Sequence, residues 1–368
     1  MSIEHLAEAS SLDAALVREI EHGACLVSTA KLDRIAATLG LDAFALYDGR
    51  EAEQSLVVLP RHASRVDFQA ADLPVLRRAL ERASALNNLS ALLAEPNLRS
   101  QFSPAAPGDQ PAKDGYHRAR MVRRALGLTQ DPIGTLEVLL AERFAVPVVS
   151  ASLATSRLLA AAVRSSTGAA AAVVLNRTAD DAPAAGTAQA SLVDRVSICH
   201  ELCHVLFDER TGTGIDVILD DPPRSGQDKS PIEQRAGAFA AELLIPVLGL
   251  TSFVGDAREI ERTPDVDTLV DSVREHFGTP AELTVNHLYN HGYVARIDEF
   301  RRALIESAQQ RPTGALSAAF TSDADAARRV LEARTKAAHE GGLISDGMAR
   351  ASLQIAPGES LPWESGAA

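Results

Sequence analysis

The sequence predicts an α+β fold flanked by helices, with an all-α module at the N-terminus, a mixed middle domain and a helical C-terminal extension. Three observations predict it. Apolar residues recur at helical spacing through the first 50 positions. Three short β-like runs crowd into residues 146–177, and the apolar helix SLVDRVSICHELCHVLFDE follows soon after them. A chain of 368 residues is long enough for two or three such units.

Within residues 1–50, IEHLAEAS opens a short helix. SLDAALVREIEHG then carries Leu12, Leu16, Val17 and Ile20 as one apolar stripe, with Gly23 in a capping position. Ser28 and Thr29 open TAKLDRIAATLGL, which turns Leu32, Ile35, Ala36 and Leu39 inward and ends at Gly40. With the short helix DAFALYDG, this compact run suits a helix-turn-helix. It resembles the XRE (Cro/C1-like) family over Leu6-Ala7, Ser11, Val17 to Gly23 and the Leu32 to Gly40 helix, although the family's first helix is largely missing before Ile3. The resemblance implies DNA contact, with Asp13, Ala14, Ala15 and Arg18 on the recognition face. Only Arg18 among them is a strong groove reader. Eight acids against four bases give residues 1–50 a net charge of −4, so a module used for protein contacts fits equally well.

Residues 51–114 read as spacer and linker. LVVLP is a short strand-like run. LPVLRRALERASALNNLSALLAE is a helix whose leucines pack either on a second copy, making a homodimer, or on the next domain. Residues 96–114 concentrate Pro, Gly, Ser and Gln without helical period.

The α+β domain spans residues 115–310. YHRARMVRRALGL and PIGTLEVLLAERF are helical; VPVVSA, LLAAAVRS and AAAVVLNR are strand-like; NRTADDAPAAGTAQ is an irregular loop. Beyond the long apolar helix, residues 208–229 read as an acidic, solvated loop, in which Asp216, Asp220 and Asp221 are weak candidates for a second cation. Ser230-Pro231 is a strong start signal for the helix PIEQRAGAFAAELLIP, which Pro246 stops. Residues 311–368 hold the helix DADAARRVLEARTKAAHE and an irregular end.

A net charge of −13 argues against an indiscriminate nucleic-acid binder, and 4% aromatic residues argue against a stacking platform. The three cysteines, Cys25, Cys199 and Cys203, form no disulfide framework. Mean hydropathy is −0.02, and MSIEHLAEAS lacks the basic start and apolar core of a signal peptide. A soluble, cytoplasmic protein without a membrane span is expected.

The chemistry concentrates at His200-Glu201-Leu202-Cys203-His204. Histidines at i and i+4 stand about 40° apart on a helix, so both imidazoles face one side and can share a metal. Glu201 follows directly, close enough to take a proton from a water without occupying a coordination position. Glu233, 29 positions beyond His204 near the start of the next helix, can supply a third ligand and leave a fourth place open, the pattern of a catalytic site. Its competing reading is a first-turn charge on the helix dipole. Glu242, nine residues further on, is the second choice.

These residues resemble the ImmA/IrrE family of zinc metallopeptidases. The likeness rests on His200-Glu201-x-x-His204 and on Glu233-x-x-Ala236-x-x-Phe239-Ala240-x-Glu242-Leu243-Leu244-x-Pro246. It extends upstream to Arg120, Arg123, Leu126-Gly127-Leu128 and Pro132-Ile133, and to Val174-Leu175-Asn176. It spans roughly residues 115–295; Gly237 stands where the family commonly has Asn. The resemblance implies a minimal thermolysin-like zincin fold, with His200, His204 and Glu233 holding Zn2+ and Glu201 as general base. It also implies regulatory cleavage of a protein partner, often a helix-turn-helix repressor or antitoxin-like protein. His276, His287, His291, Tyr289 and Arg235 are candidate oxyanion donors. Cys199 and Cys203 read as small buried hydrophobes, with redox control of zinc binding by Cys203 as a minority reading. Two alternatives remain: an XRE-type regulator whose peptidase-like domain serves as sensor or dimerisation unit, and a toxin–antitoxin component acting through protein contacts.

Overall fold

The computed structural model describes residues 3–21, 27–39, 70–155, 158–165, 168–179, 186–209, 215–219, 230–255, 266–295, 297–311, 318–356 and 359–364. The expected LVVLP run, the helix DAFALYDG, the Gly23 and Gly40 caps, and Asp220 and Asp221 lie outside these residues.

The chain is mixed α+β and mostly helical. It begins with α1 (Ile3–Ala9), α2 (Ala14–Glu21) and α3 (Thr29–Leu39). These enclose a small core of Leu6, Ala7, Val17 and Ile35. Asp13 separates α1 from α2 because its Oδ1 accepts the Ala15 N–H at 2.7 Å, satisfying a free donor at the start of α2.

Three helices, α4 (Leu73–Leu92), α5 (Pro111–Ala125) and α6 (Leu136–Phe144), precede the sheet. Its strands are β1 (Val148–Ala151), β2 (Ala160–Ser165), β3 (Ala171–Asn176) and β4 (Ile215–Leu219), in the order β1-β3-β2-β4. β1 runs parallel to β3, and the other pairs are antiparallel. The first three are the expected strands. β4 arises inside the stretch expected to be loop, because pairing with β2, from Ala161 opposite Leu219 to Ser165 opposite Ile215, recruits it from a distance.

Helix α7 (Ala188–Phe207) separates β3 from β4 in the chain. After β4 come α8 (Pro231–Leu244), α9 (Val247–Val254), α10 (Val266–Phe277), α11 (Ala281–Asn290) and α12 (Asp298–Gln310). The extension forms α13 (Ala326–Glu340) and α14 (Asp346–Leu353).

Every residue of β2 and β3 is buried, so alternation along the strands serves two cores rather than one core and solvent. One face presents Ala160, Ala162, Ala171, Val173 and Leu175 to the core containing α7. The other presents Ala161, Val163, Ala172 and Val174 to Leu76, Ala79, Leu80 and Ala83 of α4. Leu76 and Leu80 of α4 therefore pack within the chain, on the sheet. Each contributes about 1.5–3 kcal/mol by that burial. The irregular stretch between α4 and α5 is also docked: the Ala105 N–H donates to the Phe207 carbonyl at 2.9 Å.

The C-terminal extension completes the same body. Leu331, Ala338, Met348 and Leu361 pack with Leu86 and Leu89 of α4 and Ala141 of α6. Arg334 is buried among them because its guanidinium reaches Ser90 Oγ and the Glu142 carbonyl, at 2.8 and 2.9 Å. No single helix among the described residues is long and apolar enough to cross a membrane.

Candidate metal centre

Helix α7 begins where Thr187 Oγ1 accepts the Ala190 N–H at 3.1 Å. It then runs between the sheet and α8, buried on nearly all sides. In that setting the polar residues of the motif need partners. Glu201 and His204 have no solvent exposure, and His200 is partly exposed. The two imidazole rings lie 4.8 Å apart, tilted by 59°.

Glu233 meets them from α8. Ser230 caps that helix by accepting the Glu233 N–H at 3.3 Å, and Pro231 fills its first position, as the sequence predicts. In a capping box the Glu233 side chain would turn back to the cap. Here Oε2 lies 3.0 Å from His200 Nε2, and Oε1 lies 3.7 Å from His204 Nε2. The carboxylate stays at the favourable positive end of α8 while reaching both histidines.

Donor atoms of His200, His204 and Glu233 all fall within 4.8 Å of one another. Two imidazole nitrogens and one carboxylate oxygen suit a zinc-like divalent ion with an open position. The surroundings favour the same use. His204 Nδ1 is 2.8 Å from Asp208 Oδ2, which places the ring proton on Nδ1 and leaves the Nε2 lone pair facing Glu233. Asp208 is itself held by buried Arg235 through its other oxygen. Burial opposes ionisation of Asp208, but its hydrogen bond to His204 and the nearby charges of Arg235 and Arg164 outweigh it and keep the carboxyl below its usual range.

Arg164, from β2, closes the end of α7. Its Nη1 donates to the His204 and Asp208 carbonyls at 3.1 and 2.9 Å. A cation is favoured at a helix C-terminus, and here it fixes the turn that joins His204 to its carboxylate partner. Asp208 and Arg164 were not among the expected site residues. The signals were the His204-x-x-x-Asp208 spacing and a lone arginine in an apolar strand.

His200 and Glu233 open onto a cleft of about 1030 Å³ between α7, α8 and α11. Leu159, Val193, Val196, Ala238 and Ala241 give it apolar walls, and Tyr116 and His287 line it as well. Gly237 lies on the cleft too, where a Cβ would meet nothing within 4 Å.

Of the other candidates among the described residues, only His287 lines the cleft. Glu242 is two and a half turns beyond Glu233, hence on the opposite side of α8. There Arg120 Nε donates to its Oε1 at 2.7 Å, and His287 Nε2 lies 3.9 Å from its Oε2. Burial raises the Glu242 carboxyl above its usual range. Burial, reinforced by His291, pushes His287 down to about 3. Arg235 stands behind Asp208 rather than in the cleft, His276 stacks on Phe253 at 4.0 Å, and Tyr289 donates to Asp298 at 3.1 Å. Cys199 and Cys203 are fully buried, and desolvation pushes both thiols up to about 12, away from the thiolate that redox control requires. In the N-terminal module Asp13 caps α2, Ala14 begins it, and Arg18 pairs with Glu4 at 3.2 Å.

The chain matches no family model, and no curated protein matches it.

Proposed function

We propose that this chain is a zinc-dependent endopeptidase of the ImmA/IrrE type that cleaves a specific protein partner. The observation that carries the reading is the convergence of His200, His204 and Glu233, with Glu201 one residue along the same helix, beside a cleft onto which His200 and Glu233 open. His200, His204 and Glu233 would hold Zn2+. When bound, the ion supplies Lewis-acid polarisation of the scissile carbonyl and makes water acidic enough to attack near neutral pH. Glu201 takes the proton of the attacking water and returns it to the leaving amine. Its burial strengthens that exchange, since charges interact more strongly away from bulk water. Asp208, Arg235 and Arg164 hold His204 in one tautomer and one orientation. Leu159, Val193 and Val196 offer apolar contact to the substrate's side chains.

The proposed substrate class, a helix-turn-helix repressor or antitoxin-like protein, follows from the family resemblance. The N-terminal module belongs in the proposal as a docking element for such a partner. The capping role of Asp13 and the Arg18–Glu4 pair occupy two of the residues a DNA reader would need.

Metal analysis and one substitution test the reading together. Protein purified without added metal is expected to carry close to one zinc in this site, lost in His204→Ala and in Glu233→Ala. Glu201→Gln is expected to keep the zinc and lose cleavage of the partner. If regulation of the partner survives Glu201→Gln unchanged, proteolysis is not the working activity, and the DNA-reading regulator becomes the better account.

A further inference from the structure

Nine residues beyond Glu233, about 13 Å along the α8 axis, the arrangement of the first site recurs. His287 and His291 are again histidines at i and i+4, here at the end of α11, and Glu242 is again a carboxylate from α8. The two ring pairs match closely. His287 and His291 lie 4.5 Å apart and tilted by 60°, against 4.8 Å and 59° for His200 and His204. Donor atoms of the second trio also fall within 4.8 Å of one another.

From this geometry we infer that Glu242, His287 and His291 form a second binding site for a divalent transition-metal ion of the zinc class, behind the cleft wall where α5, α8 and α11 meet. His287 and Glu242 are each about 1% exposed. Among the described residues Glu242 Oε2 accepts no hydrogen bond, and neither ring nitrogen of His287 makes one of ordinary geometry. Glu242 Oε2 lies 3.9 Å from Nε2, and the Ile245 carbonyl also faces the ring. A separation of 3.9 Å is too long for a hydrogen bond. Two donors bound to one ion at about 2.0–2.1 Å stand roughly 3.3 Å apart in a tetrahedron, so side-chain shifts of a few tenths of an ångström would bring both into coordination. Buried polar groups left this way are costly, and a shared ion relieves both at once.

The second site differs from the first where chemistry is concerned. Leu288 follows His287 where Glu201 follows His200, so no general base accompanies the ligands. The site therefore binds without catalysing, and its ion ties α8 to α11 behind that wall. Tyr116 covers it, with its ring 5.8 Å from His287 and 5.2 Å from His291, and Asn290 donates to the Tyr116 hydroxyl at 3.2 Å. Arg120 holds the other Glu242 oxygen while half exposed to water, and the Arg123 guanidinium is turned to the Leu243 carbonyl. These cations oppose a second positive charge, so the second ion binds more weakly than the first.

The test is a titration of the full-length, metal-stripped chain with Co2+, following bound equivalents and visible absorption, with circular dichroism as the check on folding. Wild type is expected to bind two equivalents, and His204→Ala one. His291→Ala, at a partly exposed helix end, is expected to keep only the tighter equivalent. Glu242→Gln should lose the same equivalent as His291→Ala with both histidines in place. A wild type that binds one equivalent, abolished by His204→Ala and untouched by His291→Ala and Glu242→Gln, overturns the inference. So does a folded His204→Ala protein that binds none. A single equivalent lost in His291→Ala but kept in His204→Ala upholds the second site and sinks the peptidase reading instead, so the two proposals fail separately.

Discussion

His204 has two ring nitrogens, and only one of them can face an ion. Asp208, 2.8 Å from Nδ1, makes that choice by accepting the Nδ1 proton, and Arg235 and Arg164 keep the carboxylate and the helix end in place. Asp208→Asn is therefore predicted to weaken zinc binding about 10–100-fold with the fold retained, as measured by competition with a chromogenic chelator. Unchanged affinity would show that the ring is oriented by something else. The same scale separates what the sequence tells from what it hides. The convergence of His200, His204 and Glu233 was legible because helical periodicity relates the two histidines and the Ser230-Pro231 start places Glu233 in the first turn of the next helix. Arg164 was not, since it reaches the site from a strand 40 positions earlier, and pairing across space leaves no local pattern. Cys199 and Cys203 flank the ligands but are sealed in the core. N-Ethylmaleimide on the native protein is expected to leave both unmodified in peptide maps, and to label them once the chain is unfolded. Rapid native labelling of Cys203 would reopen redox control of the site.

At the scale of elements, α8 carries Glu233, the third proposed ligand, and its position depends on how closely α5 approaches it. A Cβ on Gly115 would stand 2.3 Å from the Arg235 carbonyl oxygen and 2.9 Å from the Phe239 nitrogen, so only glycine permits this crossing. Gly115→Ala is predicted to force the helices apart, costing about 1–3 kcal/mol in denaturant unfolding and lowering zinc content through Glu233. Gly237, on the open side of α8, behaves oppositely. Alanine there meets nothing, so Gly237→Ala should stabilise the protein by about 0.5–1 kcal/mol. A destabilised Gly237→Ala would mean that the space beside it is not free. The helices were largely legible, because each has an apolar stripe, a start signal or a stop. Two assignments depended on partners that no local pattern reveals. Residues 73–92 were readable as a helix, but only the doubly buried sheet makes that helix a structural layer. Ile215–Leu219 became a strand because β2 had an edge to pair, while its acidic surroundings read as loop.

Across the whole molecule, the N-terminal module poses a question of attachment, because among the described residues its buried apolar core is only Leu6, Ala7, Val17 and Ile35. Its anchor is α14. The Asp33 carboxylate of α3, 6% exposed, accepts the Ser345 hydroxyl at 2.5 Å, and Ser345 also caps α14 by accepting the Met348 N–H at 3.2 Å. Asp33 thus sits at the positive end of α14, joined to it by a charge-assisted hydrogen bond worth about 1.5–3 kcal/mol. Gly347 makes room for it, since a Cβ there would stand 2.2 Å from Asp33 Oδ2 and 2.5 Å from Asp33 Cβ. Those contacts involve the root of a short side chain as well as its tip, so rotation cannot relieve them and α3 as a whole must move. Gly347→Ala is accordingly predicted to loosen the module and leave the metal centre alone. Amide hydrogen exchange in α1–α3 should quicken at least tenfold, the equivalent of about 1.4 kcal/mol, while exchange in α7 and zinc content stay at wild-type values. Ser345→Ala should move exchange in the same direction with no steric clash to blame. Protection of α1–α3 that survives both substitutions would mean that the module holds its structure independently of α14, and a regulatory signal could not then pass to the C-terminal extension by this contact.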